Sequence, residues 1–360
     1  MQYEEGYSID GRYCLKKYIG SGSFGEVWVA TDTQTDLEVA VKIYISMDAQ
    51  GLSDFKKEFQ LSFNFNHTNL LHANYLGVNS DDNRPYLVMP YCPDGSSTKL
   101  CGVIDEAKLW VFIRDVASGL AYLHSQQPPV IHQDIKPDNI LILKSGEFVI
   151  TDFGISKQLR SSLRKSATNL NSAGAVSYMG PERFSKQYQA VKASDVWSLG
   201  VAIYELATGD LPFCGMGGSM QKRGADIPEL PASFSEDINE VMTACLAAET
   251  WDRPTAAQIA EFADRYIKGE KKRPLWLKNS KQVIENEPVK VDVASKSAGV
   301  SAGENKSEIK RTVILSSTAP ADIVVSKPVS RESSRKIPVI IWILAAIAGL
   351  AAGYLLNVTI

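Results

Sequence analysis

The sequence predicts an α+β protein, strand-rich at its amino-terminal end and mainly helical beyond it. Three observations predict this. Residues 13–30, 39–42 and 85–92 read as strand-like runs. Ile140-Leu141-Ile142-Leu143 and Phe148-Val149-Ile150 are apolar runs on either side of Lys144-Ser145-Gly146-Glu147, the pattern of a two-stranded hairpin. Leu109, Phe112, Ile113, Val116, Leu120 and Leu123 recur at helical spacing, and residues 194–206 are apolar on most faces, so an amphipathic and a buried helix are expected.

Composition narrows the field. With 360 residues, 44% hydrophobic and 22% charged, the chain is globular and long enough for one large domain or two ordinary ones. A net charge of −3 gives no basic field, so nucleic acid is not an expected partner. The five cysteines are odd in number and lack disulfide or metal spacing, which fits a reduced, cytosolic setting. The four histidines also lack metal spacing; His67, His72 and His124 read as packing or capping residues. The start of the chain has neither the basic flank nor the apolar core of a signal peptide.

In chain order, the first strand runs into Gly20-Ser21-Gly22-Ser23-Phe24-Gly25 and continues as Val27-Trp28-Val29-Ala30. Dinucleotide-binding folds share this glycine spacing, but there it opens a helix and an acidic residue follows about twenty positions on. Here a second strand, Val39-Ala40-Val41-Lys42, follows instead. Backbone without side chains can approach phosphates closely. Residues 53–59 read as a helix start, with Ser53 or Asp54 at the N-cap. Residues 85–92 are then a further strand, and the amphipathic helix follows.

That helix delivers the chain to His132-Gln133-Asp134-Ile135-Lys136-Pro137-Asp138-Asn139, then to the hairpin, then to Asp152-Phe153-Gly154. A hairpin holds its ends together, so Asp134 and Asp152 are expected to flank one site with Lys136 and Asn139. Two carboxylates, an ammonium and an amide suit phosphoryl transfer, which depends on positioning and on neutralising phosphate charge.

These stretches resemble the catalytic and metal-binding loops of the protein kinases. The layout resembles the bacterial members of the eukaryotic-like, or Hanks-type, Ser/Thr kinases, with Asp10-Gly11-Arg12-Tyr13 opening the domain. The resemblance implies a bilobal fold after an N-terminal extension at 1–12. A small, mainly antiparallel β lobe with helix C would occupy about 13–92, and a larger, mainly helical lobe 93–267. It implies transfer of the γ-phosphate of ATP to serine or threonine hydroxyls of protein substrates, the chain itself among them, with Mg2+ or alternatively Mn2+ as the metal. Asp134 would accept the hydroxyl proton, Lys136 contact the transferred phosphate, Lys42 bind the α- and β-phosphates, and Glu58 pair with Lys42. Asn139 and Asp152 would hold the metal. Gly20, Ser21, Gly22, Ser23, Phe24 and Gly25 would cover the phosphates, and Val27, Ala40, Met89, Pro90 and Cys92 would complete the ATP site. Met89 is the expected gatekeeper. His132 would support the loop, Asp195 hold its backbone, and Arg253 pair with Glu182.

Two positions depart from the family pattern. Gln133 stands where an arginine usually pairs with a phosphate on the activation segment, here 156–172, and a neutral amide cannot make that charge-assisted pair. Activity independent of that phosphorylation is therefore expected. Ala175 stands where Ser/Thr kinases usually place a threonine, while Lys136 still favours Ser/Thr over tyrosine. The alternative function is a weak or inactive pseudokinase scaffold at the membrane. Gln133 and Ala175 favour it, and the retained Lys42, Asp134 and Asp152 oppose it. A small-molecule phosphotransferase is opposed by Lys136, the activation segment and the Glu182–Arg253 pairing.

Between 268 and 336 Lys and Arg outnumber Asp and Glu and no periodicity is sustained, so a basic, disordered juxtamembrane linker is expected. Residues 337–360 carry no charge and are long enough to span a hydrocarbon core as a helix. Arg331, Arg335 and Lys336 precede this stretch, which places the kinase domain in the cytoplasm and the short C-terminus across a cell membrane, as a single-pass protein. Gly349 and Gly353 offer a small-residue face, so a homodimer through this helix or through the kinase domain is a further expectation.

Overall fold

The structure is a computed structural model that describes residues 3–22, 25–153, 176–185, 191–270 and 272–277. The chain divides into two compact units, Met1–Glu287 and Pro288–Ile360. The second lies wholly outside the described residues, as does the expected membrane span 337–360; among the described residues no helix is long and apolar enough to cross a membrane.

The amino-terminal part is a six-stranded antiparallel sheet in the order β1-β2-β3-β4-β6-β5. The strands are β1 (Ser8–Ile9), β2 (Tyr13–Gly22), β3 (Gly25–Asp32), β4 (Leu37–Tyr44), β5 (Tyr75–Val78) and β6 (Pro85–Pro90). Side chains alternate across a strand. In β4, Val39, Val41 and Ile43 therefore face the sheet core with Tyr13, Leu15, Trp28, Tyr86 and Val88. Ala40 and Lys42 face the other way, towards the helical part. The segment expected as an extension at 1–12 is integral to this lobe from Tyr3 onward. Ser8–Ile9 pairs with β2, Tyr3 and Ile9 are buried, and the buried Asn79 amide donates to the Tyr3 hydroxyl at 2.9 Å.

Helix α1 (Ala49–Phe63) starts four residues before the expected Ser53. Its cap is Asp48, whose carboxylate accepts the Gly51 N–H at 2.7 Å, so the Ser-Asp pair lies inside the helix. Phe55 packs edge-on against Tyr44, with ring centroids 4.6 Å apart, seating the helix on the sheet. Beyond α1 the chain lies along the hairpin of residues 140–150: the Asn69 carbonyl accepts the Ile150 N–H at 2.9 Å, and the Leu71 N–H donates to the Ile150 carbonyl at 2.8 Å.

The carboxy-terminal part is built on α2 (Glu106–Ser125), α3 (Lys192–Thr208), the short α4 (Gly218–Gln221), α5 (Glu236–Cys245) and α6 (Ala256–Ile267). Asp105 caps α2 by accepting the Lys108 N–H at 2.8 Å. Its apolar stripe, Leu109, Phe112, Ile113, Val116, Leu120 and Leu123, is fully buried; each such side chain contributes about 1.5–3 kcal/mol by leaving water. α3 is buried on almost every face, and Gly209 ends it at φ +82°, a conformation that costs glycine nothing. Trp110 of α2 stacks on Tyr266 of α6 at 4.1 Å. The five cysteines are free thiols, and burial pushes that of Cys245 up to about 12.

Packing also continues past the expected start of the linker at 268. Arg273 pairs with Asp237 at 2.7 Å and with Glu240 at 3.1 Å, Trp276 meets Phe262 edge-on, and Leu277 is buried. The remainder of that linker, from 278, lies outside the described residues.

Candidate active site

The hairpin expected between the two acids is present as β7 (Ile140–Ile142) and β8 (Phe148–Ile150), paired antiparallel in register Ile140↔Ile150. Its open end carries the candidate site residues. The Thr151 N–H donates to the Asn139 carbonyl at 2.9 Å, which sets Asn139 beside the residue preceding Asp152. The Asn139 amide donates to the Asp134 carbonyl at 2.7 Å and to its carboxylate at 2.9 Å. Lys136 lies 3.5 Å from the same carboxylate.

The loop carrying Asp134 is held from below. The buried Asp195, at the start of α3, accepts the backbone N–H groups of His132 at 2.8 Å and Gln133 at 2.7 Å and lies 2.9 Å from His124 Nε2. His132 Nδ1 accepts the Asp134 N–H at 3.3 Å, while its Nε2 donates to the Thr151 carbonyl at 3.0 Å. One imidazole thus spans the two loops, a tautomer set by both contacts. Gln133 (φ +66°) and Asp152 (φ +63°) both adopt the left-handed conformation. Each such residue costs of order 1–3 kcal/mol and persists where its surroundings over-determine it.

From above, Lys42 on β4 reaches down to Asp152, its ammonium 2.6 Å from each carboxylate oxygen. Glu58, the partner expected for Lys42, lies on α1, and its side chain is outside the described residues. The glycine stretch closes β2 onto β3 through Gly20↔Val27, Ser21↔Glu26 and Gly22↔Gly25; Ser23 and Phe24 at its tip are outside the described residues. Gly25 is required there: at φ +153° a Cβ would come 1.9 Å from the Ile43 carbonyl oxygen.

Ala40, Met89 and Cys92 form one buried apolar group with Leu71 and Val149, against which Leu141 is half-buried. Ala40 lies opposite Met89 across β4 and β6, and Pro90 ends β6. The sequence marks Leu141 and Val149 only as hairpin residues and does not mark Leu71, although the three join the sheet to that hairpin. Gly154, the expected activation segment and Ala175 lie outside the described residues, which resume at Val176. Past that point, Arg253 Nη2 donates to Glu182 at 2.9 Å and to the Ala248 carbonyl, while Nη1 donates to the Ala193 carbonyl and Nε to that of Ala247. Burial pushes the Glu182 carboxyl up, but the hydrogen bond and charge of Arg253 outweigh it and hold the group below its ordinary value.

The donor set fits a nucleotide-borne metal. The Asp152 carboxylate and the Asn139 amide oxygen are hard ligands, and Mg2+ commonly binds one or two carboxylates and completes its shell with water and phosphate oxygens. Among the described residues no group of three or more His, Cys, Asp or Glu side chains is placed to hold a metal.

The family model described as the protein kinase domain matches residues 13–263. The chain belongs to the protein kinase family. Its kinase domain is similar to mitogen-activated protein kinase kinase kinase 5 of Arabidopsis thaliana, 30% identical over 281 residues, covering 73% of this chain and 38% of that protein. Serine/threonine-protein kinase dst1 of Dictyostelium discoideum is 32% identical, with 69% and 34% covered. Serine/threonine-protein kinase PrkC of Bacillus subtilis is 34% identical, with 58% and 32% covered. The chain spans about a third of the length of these relatives. The sheet followed by helices fits the bilobal kinase fold expected from the sequence.

Proposed function

We propose that this chain transfers the γ-phosphate of ATP to serine and threonine hydroxyls of proteins, itself among them, while anchored to a membrane by residues 337–360. The observation that carries the reading is the approach of Lys42 to Asp152, residues 110 positions apart, above the hydrogen-bonded pair Asp134 and Asn139. The names of the curated relatives and the lysine at 136 favour serine and threonine as acceptors.

In this reading Lys42 orients the α- and β-phosphates, and Ala40, Val27, Met89, Pro90 and Cys92 receive the adenine. The backbone of 20–25 lies over the phosphates. Asn139 and Asp152 would hold Mg2+, which when bound neutralises phosphate charge and fixes the triphosphate. Asp134 accepts the proton of the substrate hydroxyl as the oxygen attacks phosphorus, and Lys136 balances charge on the transferred group. Glu58 is assigned the role of steadying Lys42.

A mant-nucleotide titration and a phosphotransfer assay on wild type and Lys42→Met test the proposal. The wild type is expected to bind ATP with Mg2+ and label a protein acceptor, and the variant to lose transfer by at least about a hundredfold. A wild type that neither binds nucleotide nor transfers phosphate overturns it.

A further inference from the structure

We propose that Arg183 is a positioning residue for the transfer: its guanidinium fixes the peptide that carries Asp134. The inference rests on the phosphotransferase reading above and adds a residue to it. The peptide between Gln133 and Asp134 has two polar ends, and both are held. Its N–H donates to His132 Nδ1 at 3.3 Å, and its carbonyl accepts from Arg183 Nη1 at 3.2 Å. The preceding N–H, of Gln133, is held by Asp195 at 2.7 Å.

This peptide needs holding. Gln133 adopts φ +66°, a region that a side chain of its kind seldom occupies, and such a conformation persists only where its neighbours impose it. Asp195 and His132 constrain the N–H ends; the carbonyl of Gln133 is constrained from the opposite side, by Arg183. Without that donor the peptide plane can rotate about its flanking bonds, and the Asp134 carboxylate moves with it. A displacement of about 1 Å at a reacting group is enough to cost about a hundredfold in rate.

Arg183 is itself well placed to act as a fixed point. It lies in a single 3-10 turn, Pro181–Phe184, next to Glu182. Glu182 is tied to Arg253, whose side chain is wholly buried and also donates to three carbonyls of the helical lobe. The guanidinium therefore transmits the position of the segment that follows the activation segment to the catalytic loop. The chain has a neutral glutamine at 133, and the arginine that meets this loop comes from outside it, fifty positions downstream.

The full chain is compared as wild type, Arg183→Leu and Arg183→Lys, with Arg183→Gln in place of leucine if the leucine variant does not fold. Hydrogen exchange of the peptide spanning 131–136 is expected to rise at least tenfold in Arg183→Leu and to return towards wild type in Arg183→Lys, while α2 stays protected. In parallel, kcat is expected to fall ten- to a hundredfold with KM for ATP within twofold, and lysine to recover part of the loss. Unchanged exchange over 131–136 overturns the proposal. So does a loss of kcat matched by equal losses of ATP affinity and α2 protection, because that is general damage to the lobe. A wild type that exchanges as expected but transfers no phosphate sinks the functional reading, and the exchange comparison still decides whether Arg183 holds the peptide.

Discussion

The Asp195 carboxylate accepts the backbone N–H of Gln133 at 2.7 Å, from a position on α3 that is completely buried. Its other oxygen accepts the N–H of His132 at 2.8 Å. One side chain in the helical core thus fixes two successive peptides of the loop that ends in Asp134.

Removing it should be costly. Asp195→Ala leaves two backbone donors and His124 without their acceptor, and the expected loss is about 2–5 kcal/mol of stability together with most of the phosphotransfer. Asp195→Asn keeps one oxygen and should lose less. Urea denaturation and initial rates check this; a loss below about 0.5 kcal/mol for the alanine variant contradicts it.

Glu182 and Arg253 give a pH dependence with a definite sign. Glu182 is held below its ordinary value of 4.5 in the folded chain. Its unfolded form therefore binds the proton first, so its contribution is complete above the unfolded value and is lost as pH falls through the lower, folded one. Glu182→Gln should cost about 3 kcal/mol near neutrality and flatten the acid limb of the stability curve. Thermal unfolding between pH 3 and 7 reads both, and parallel curves for wild type and variant would refute the assignment.

Gln133 removes the charge that usually pairs with a phosphorylated activation segment. The variant with alanine at Ser161, Ser162, Ser166, Thr168 and Ser172 should therefore keep its activity within about threefold, as should phosphatase-treated wild type. Complete loss in either shows that another cation reads a phosphate there.

Residues 337–360 are proposed as a membrane anchor on their uncharged length alone. Full-length protein should float with lipid vesicles after detergent removal, and a variant ending at 336 should stay in solution. Equal behaviour of the two contradicts the anchor.

The parts of the site legible in the sequence were those with strong local grammar. The hairpin shows as two apolar runs around a glycine turn, and Lys42 as the end of a strand following a glycine stretch. Other parts were hidden for specific reasons. Ile140, Leu141 and Ile142 are all apolar, so the alternation that turns Leu141 away from the helical core leaves no mark in composition. Asp48 is followed by Ala-Gln-Gly, which gives a cap no periodic support, whereas Ser53-Asp54 mimics one inside the helix. The tie of Tyr3 to Asn79 and the clasp of Arg273 on Asp237 and Glu240 depend on partners dozens of residues away, where no local pattern reaches. Arg183 reads as one more surface cation until the fold brings it to the Gln133 carbonyl.

The most direct measurement is transfer of label from γ-radiolabelled ATP with Mg2+ by wild type and by Asp134→Asn, followed by phosphoamino-acid analysis. The account predicts labelled phosphoserine and phosphothreonine from wild type, a loss of at least about a thousandfold in the variant, and nucleotide binding retained by both. Label that persists at the wild-type rate in Asp134→Asn, or wild type that binds ATP and labels nothing, contradicts it.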